Sequence, residues 1–433
     1  MLRLAHAREP FLMEREPIVF VGTSDLSGHF RGKSFPATEL PARLQRGVGL
    51  APTNLFLSAF GPIQVTPFGT PGEVLLIPDA ATRVYVPFPE GAPEYFFIGD
   101  LLTLEREPWS FCPRQVLRRS LERLARESGL TLLASFEHEF LYSGVAERPH
   151  APYSLSALRR VGTFGEELLA VMRQAGVVPD SFLAEYGPCQ YEVTQAPARG
   201  VRAADEALMV RELAQAVAFR RGQRVSFAPI RDPEGTGSGA HIHFSLLDER
   251  EQPILFDPEC PWQLSARGAQ FVAGVLHHLP SLCAISCPGV ASYYRLRPNR
   301  WAPVRADIGV LDRGTAVRIC APARGEAAQQ ARQFNVEFRV ADCTANPYLV
   351  LAMLVQAGLD GLRQRRAIGP PAAAPALPTT LAEALRLLES STCIAEWLGP
   401  ELLQGYLLFK RAELESLQHL DETEVCRRYA DVY

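Results

Sequence analysis

The sequence predicts an α+β protein of two domains, and three observations carry that expectation. Between Pro17 and about Glu107 short apolar runs are broken by Gly and Pro, the pattern of a small, mainly β unit. Beyond Pro108, strand-like runs alternate with stretches of helical spacing. Three separated segments, Phe136 to Phe140, His241 to Leu246 and Asn335 to Val340, put polar, metal-capable side chains at alternate positions with apolar residues between them. Side chains alternate across a strand, so Glu137 and Glu139 share one face, His241, His243 and Ser245 another, and Asn335, Glu337 and Arg339 a third. Any one of these alone reads as a half-buried strand with its polar row in solvent. Together they read as the walls of a site for hard divalent cations, with oxygen ligands predominating.

The elements follow in order. Ile18 to Gly22, Val74 to Ile77 and Val84 to Val86 read as strands of the first unit. Pro108 to Pro113 forms a break, which places a domain boundary between 15–107 and 108–433. Arg114 to Gly129 has helical spacing, with Val116, Leu117, Leu121 and Leu124 on one stripe and Gly129 as the stop. Ala203 to Phe219, Gln270 to Leu279 and Tyr348 to Leu362 are further helical stretches, and Thr315 to Cys320 is strand-like. Gly369 to Pro378 has the composition of a loop, followed by helices around Leu381 to Leu388 and Leu402 to Leu417.

At 433 residues the chain exceeds one compact core. Its 47% hydrophobic and 21% charged residues are those of a soluble globular protein, and a net charge of −4 argues against a nucleic-acid-binding surface. No apolar run is read as long enough for a membrane span, and Met1 to Pro17 carries acids and bases through any signal core, so a cytoplasmic location is expected. The nine cysteines are scattered, odd in number and without paired zinc-ligand spacing, and are expected to be reduced and mostly structural.

The chemistry-bearing residues form three groups. Glu137 and Glu139 are joined by Glu185 and Glu192, which a Gly187-Pro188 turn could fold back toward one site. With His241 and Glu337 this makes six candidate ligands, whose mutual repulsion in a cleft two or three Mg²⁺ or Mn²⁺ ions would relieve. Zinc fits less well, because oxygen donors dominate and thiolates are absent. The second group is Arg295, Arg313, Arg318, Arg332 and Arg339, in a stretch poor in Lys; planar guanidinium forks suit a nucleotide polyphosphate and an acidic substrate. The third is Gly235-Thr236-Gly237-Ser238-Gly239, which matches neither the dinucleotide fingerprint nor the P-loop and reads as a turn or as backbone closely approaching a ligand.

With these pieces in order, nearly the whole chain resembles the glutamine synthetase family. Ser135 to Phe140 is similar to its Glu-x-Glu strand, Glu185 to Glu192 to its Glu-(x)₄-Gln-x-Glu element, and Gly237 to Leu246 to its Gly-Ser-Gly-x-His-x-His-x-Ser strand. Arg313 to Arg318 and Glu337-Phe338-Arg339 resemble its later Arg motifs, while Asp25 to Lys33 and Ile77-Pro78-Asp79 resemble its N-terminal domain. The resemblance implies an N-terminal β-grasp domain, then a catalytic domain with a curved antiparallel sheet flanked by helices. It implies one cation held by Glu139, Glu185 and Glu192 and a second by Glu137, His241 and Glu337. ATP would be held through His243, Ser245, Arg313, Arg318 and Arg332, the last where the family usually has Lys; glutamate would be gripped by Gly237, Arg295 and Arg339. Arg313, Arg318 and Glu337 would then serve the phosphoryl transfer that makes an acyl phosphate.

The departures gather around the nitrogen substrate. Ammonium-using members carry Glu where this chain has Trp301, and their Asp-Gly-Ser-Ser motif is missing from Gly47 to Asn54. A small cation needs a carboxylate to offset desolvation, whereas an indole offers apolar area and a π face. The expected enzyme is therefore an ATP-dependent ligase joining glutamate to an organic amine such as a polyamine or monoamine, with Trp301 in the amine pocket. Its alternatives are a true glutamine synthetase and a non-catalytic family member. Thr236 stands where the family's glutamate-binding Asn would be, and Ser226 to Arg231 lacks the usual Lys-Pro. The resemblance also implies a homo-oligomer, commonly a dodecamer of two hexameric rings with active sites between subunits.

Overall fold

The computed structural model describes residues 15–63, 65–69, 71–146 and 151–433. Of the segment Met1 to Pro17 read above for a signal core, residues 1–14 lie outside that range. The architecture is α+β, built on two sheets.

The first sheet contains β1 (Ile18–Ser24), β2 (Phe30–Pro36), β3 (Val48–Leu50), β4 (Val74–Pro78), β5 (Val84–Val86) and β6 (Glu94–Leu102). Its order is β2-β1-β6-β4-β3, with β5 also on β6. Val19, Val21, Leu76, Ile98 and Leu101 are buried in its interior. The predicted strands are all present, Ile18 to Gly22 being two residues longer.

The second sheet holds β7 (Thr131–Tyr142), β8 (Pro179–Ala184), β9 (Gln190–Gln195), β10 (Ala198–Arg199), β11 (Val225–Ser226), β12 (Ala240–Leu247), β13 (Ile308–Val310), β14 (Val317–Cys320) and β15 (Asn335–Phe338). Its order is β13-β14-β15-β12-β7-β9-β8, and β10 and β11 also pair with β7. Only β13 and β14 run parallel. The apolar sides of the central strands, Phe136 and Phe140 on β7 and Ile242 and Phe244 on β12, are buried. Their polar sides are thereby turned to the opposite face.

Helices pack behind this sheet. Pro113–Ser128 ends at Gly129, whose φ of +66° and N–H to the Ala125 carbonyl at 2.8 Å make the expected left-handed stop. Pro347–Arg363 is central, touching Pro113–Ser128, Val201–Arg220 and Ala266–Ser286. Gly274 and Gly361 let two of these backbones meet, since a Cβ on Gly274 would lie 2.1 Å from the Ala357 carbonyl oxygen. One expectation needs correcting. Ala266–Ser286 spans 21 residues and contains an 18-residue stretch with a mean hydropathy of 1.2, long and apolar enough to cross a membrane by length and composition. It is instead mostly buried against other helices, the setting of a core helix. All nine cysteines are free thiols, five of them buried.

Arg114 joins the first sheet to the helix Val201–Arg220. This buried guanidinium bonds Asp79 and Asp100 from the first sheet region and both carboxylate oxygens of Asp205 on Val201–Arg220.

Candidate active site

Strand register assembles the site. Glu192 on β9 lies opposite Glu139 on β7, and Glu137 opposite His241 on β12. Glu337 on β15 lies between His243 on β12 and Arg318 on β14. Directly opposed residues bring side chains within reach, so the alternating faces become one continuous polar surface. The β8–β9 hairpin adds Glu185: its N–H bonds the Gln190 carbonyl at 2.9 Å, so the turn at Gly187 does fold Glu185 back beside Glu192.

Among the described residues donor atoms converge in three triplets, each within 4.8 Å: Glu139, Glu185 and Glu192; Glu137, Glu192 and His241; and Glu137, His243 and Glu337. The first is the set the resemblance implies for one cation. For the second cation it implies Glu137, His241 and Glu337, and His241 Nδ1 does lie 3.2 Å from Glu137 and 3.6 Å from Glu337. His243, expected at ATP, also stands at a cation-capable position, its Nε2 3.1 Å from Glu137.

The electrostatics test the fit of a cation. Burial, reinforced by Glu137, Glu139, Glu185 and Glu337, pushes the Glu192 carboxyl up to about 10. Burial and Glu139 also raise Glu185. Burial pushes Glu137 up too, but hydrogen bonds to His241 and His243 outweigh it and hold the carboxyl far below its usual range. Burial lowers His243, yet Cys320, Glu137 and Glu337 overcome this and carry it to about 11. The protein thus offers more negative charge than its own side chains neutralise around Glu192. That donor set, oxygen-rich with imidazoles and no thiolate, fits hard divalent cations.

A cavity of about 930 Å³ opens beside the triplets. Gly237, Arg295 and Arg339, the expected glutamate residues, line it, as do Arg313 and Trp301. Gly237 must be small here, because a Cβ would lie 2.4 Å from Arg295 Cγ. Arg295 donates to the Ala341 carbonyl at 2.7 Å, and the Gly239 N–H donates to Glu139 at 2.8 Å, so the Gly-rich loop approaches the candidate metal carboxylates directly. Arg318 and Arg339 both pair with the fully buried Glu337. Ser245 is buried further along β12 with its hydroxyl unpartnered. Arg332 sits on the exposed helix Ala327–Gln333, away from the cavity wall.

Two residues escaped the sequence reading, and a third was placed there without a partner. Tyr153 lines the cavity and its OH donates to Glu185 at 2.7 Å; Tyr186 lines it beside Glu185. Asn335, placed on a polar face by alternation, holds His243 Nδ1 at 2.8 Å. Neither tyrosine belongs to an alternating strand, so periodicity carries no signal for them.

The geometry is matched by known proteins. The glutamine synthetase catalytic-domain family model covers residues 110–429, and the N-terminal domain model covers 5–109. A gamma-glutamylpolyamine synthetase of Streptomyces coelicolor is 33% identical, over 94% of this chain and 91% of its own. A glutamate–isopropylamine ligase of a Pseudomonas species is 28% identical over 83% and 82%, and a glutamine synthetase of Methanocaldococcus jannaschii 29% over 80% of each. A crystal structure described as a novel glutamine synthase homolog is 39% identical, with a TM-score of 0.92 and full coverage of both chains. Fold and site therefore define an ATP-dependent carbon–nitrogen ligase. The chain belongs to the glutamine synthetase family.

Proposed function

We propose that this chain joins glutamate to an organic amine, forming a γ-glutamyl amide through γ-glutamyl phosphate. The observation that carries the reading is Trp301 in the cavity wall, where ammonium-using relatives are expected to have Glu. Its side chain is 72% exposed, with Tyr153 and Tyr186 exposed on the same cavity. Three aromatic rings around this volume suit an amine with apolar surface and leave ammonium poorly matched.

Arg295, Arg339 and the Gly237 backbone would orient glutamate, while His243, Ser245, Arg313 and Arg318, with Arg332 further out, would hold ATP. Two or three Mg²⁺ or Mn²⁺ ions on the acidic triplets would neutralise phosphate charge. The glutamate γ-carboxylate oxygen attacks the γ-phosphorus as ADP leaves. The amine nitrogen then attacks the acyl carbon, phosphate departs and the nitrogen loses a proton. Among the described residues no wall of the cavity comes from the first sheet. The family resemblance supports closure by a neighbour's N-terminal domain in a ring, a dodecamer of two hexamers.

Phosphate release with ATP, Mg²⁺ and glutamate, comparing ammonium with di-, poly-, alkyl and aryl amines, tests the reading. At least one organic amine is expected to exceed ammonium by about tenfold in kcat/KM; a clear win for ammonium selects a true glutamine synthetase instead. In the same panel Trp301→Ala is expected to shift amine preference by about tenfold while the KM for ATP stays within about twofold. Equal loss with every amine would remove Trp301 from specificity.

A further inference from the structure

A chain of buried polar groups leads to the substrate-binding segment from outside the site. On helix Pro400–Leu417, Lys410 and Glu413 are 0% and 1% exposed, and Lys410 Nζ donates to Glu413 at 2.9 Å. Tyr429, buried on helix Glu422–Val432, donates its hydroxyl to Glu413 at 2.5 Å and accepts the Val290 N–H at 2.9 Å. Burying an ion pair yields little net stability over apolar packing, so a geometric role accounts better for this one. Val290 opens the segment that carries Arg295 and Trp301. The same helix grips that segment again at the surface, where Arg297 meets Glu422 at 2.5 Å and lies over the Tyr294 ring at 4.9 Å. At its end, Tyr433 bonds the Ser27 carbonyl at 2.8 Å and stacks on His29, both in the first-sheet domain.

We infer that helix Glu422–Val432 is a positioning element for the acid-substrate side of the site: Tyr429 and Glu422 set the place of Arg295 by holding the segment from Val290 to Trp301 at two points. The inference rests on the role proposed above for Arg295. Tyr429→Phe keeps the ring and removes only the hydroxyl, and Glu422→Gln alters an exposed side chain. In the full-length protein, Tyr429→Phe is expected to raise the KM for glutamate by about fivefold while kcat and the KM for ATP stay within about twofold. Hydrogen exchange should quicken at residues 290–301 and stay unchanged in β7 and β12. Glu422→Gln should act in the same direction with a smaller change.

Exchange that is unaltered at 290–301, or that quickens equally through the whole chain, overturns the inference. So does an unchanged KM for glutamate in Tyr429→Phe when an Arg295→Gln control raises it. If Arg295→Gln itself leaves that KM unchanged, the proposed role of Arg295 fails, and exchange at 290–301 alone decides whether the helix holds the segment.

Discussion

Glu337→Gln is expected to lower phosphate release with every amine by about a thousandfold or more, since it removes charge from the centre of the proposed transfer site. Glu337 has no solvent exposure, and Arg318 and Arg339 both donate to it. Burial pushes its carboxyl up, but His241, Arg339 and His243 outweigh that and keep it below the usual carboxylate range. An amide of the same size keeps the packing and abolishes the anion. Two guanidiniums then lose their counterion, and the triplet with Glu137 and His243 keeps only a neutral amide oxygen in place of a carboxylate. Since Arg339 faces the proposed glutamate and Arg318 the proposed phosphates, the loss should fall on kcat with all nucleophiles alike. Phosphate release measured beside a melting curve checks this. A variant that melts normally and keeps a tenth or more of the activity would remove Glu337 from the transfer site.

Much of this site was legible because a strand with one polar face announces itself by alternation. Glu137, Glu139, His241, His243, Glu337 and Arg339 were readable without knowing which strands pair. The register that opposes Glu139 to Glu192 is a tertiary fact, and so is the approach of Tyr153 to Glu185. Helices were underestimated where local signals conflict. Gln270 to Leu279 was read as ending before Pro280, a residue that usually stops a helix, yet the helix continues to Ser286. Its start was available, since the Ser265 hydroxyl caps Gly268 N–H. Helix Glu422–Val432 was missed although Asp421 and Glu424 have the spacing of a capping box, and Asp421 does accept the Glu424 N–H.

Arg114→Met is expected to cost about 3–5 kcal/mol of stability, because it strands carboxylates that are paired out of water. Arg114 is 2% exposed and Asp205 equally so; Asp205 keeps only Tyr348, whose OH donates to it at 2.7 Å. Asp79 and Asp100 retain Arg118, at 3.0 and 3.3 Å, but that side chain is one-third exposed and its pairing is screened. Arg118→Met should therefore cost less than about 1 kcal/mol. At about 2 °C per kcal/mol for a chain this large, the melting temperature should fall by about 6–10 °C in the first variant and barely move in the second. The acid limb of the stability profile should change as well. Burial raises the Asp79 carboxyl, but the hydrogen bond and charge of Arg114 outweigh it and hold the group below the usual aspartate value. A carboxyl depressed on folding contributes stability above the unfolded value, lost as pH falls through the folded one. Wild-type protein should lose that contribution only below about pH 4, and Arg114→Met should no longer show that part of the acid dependence. Equal melting temperatures for the two variants would mean that the first sheet and Val201–Arg220 are joined by packing alone.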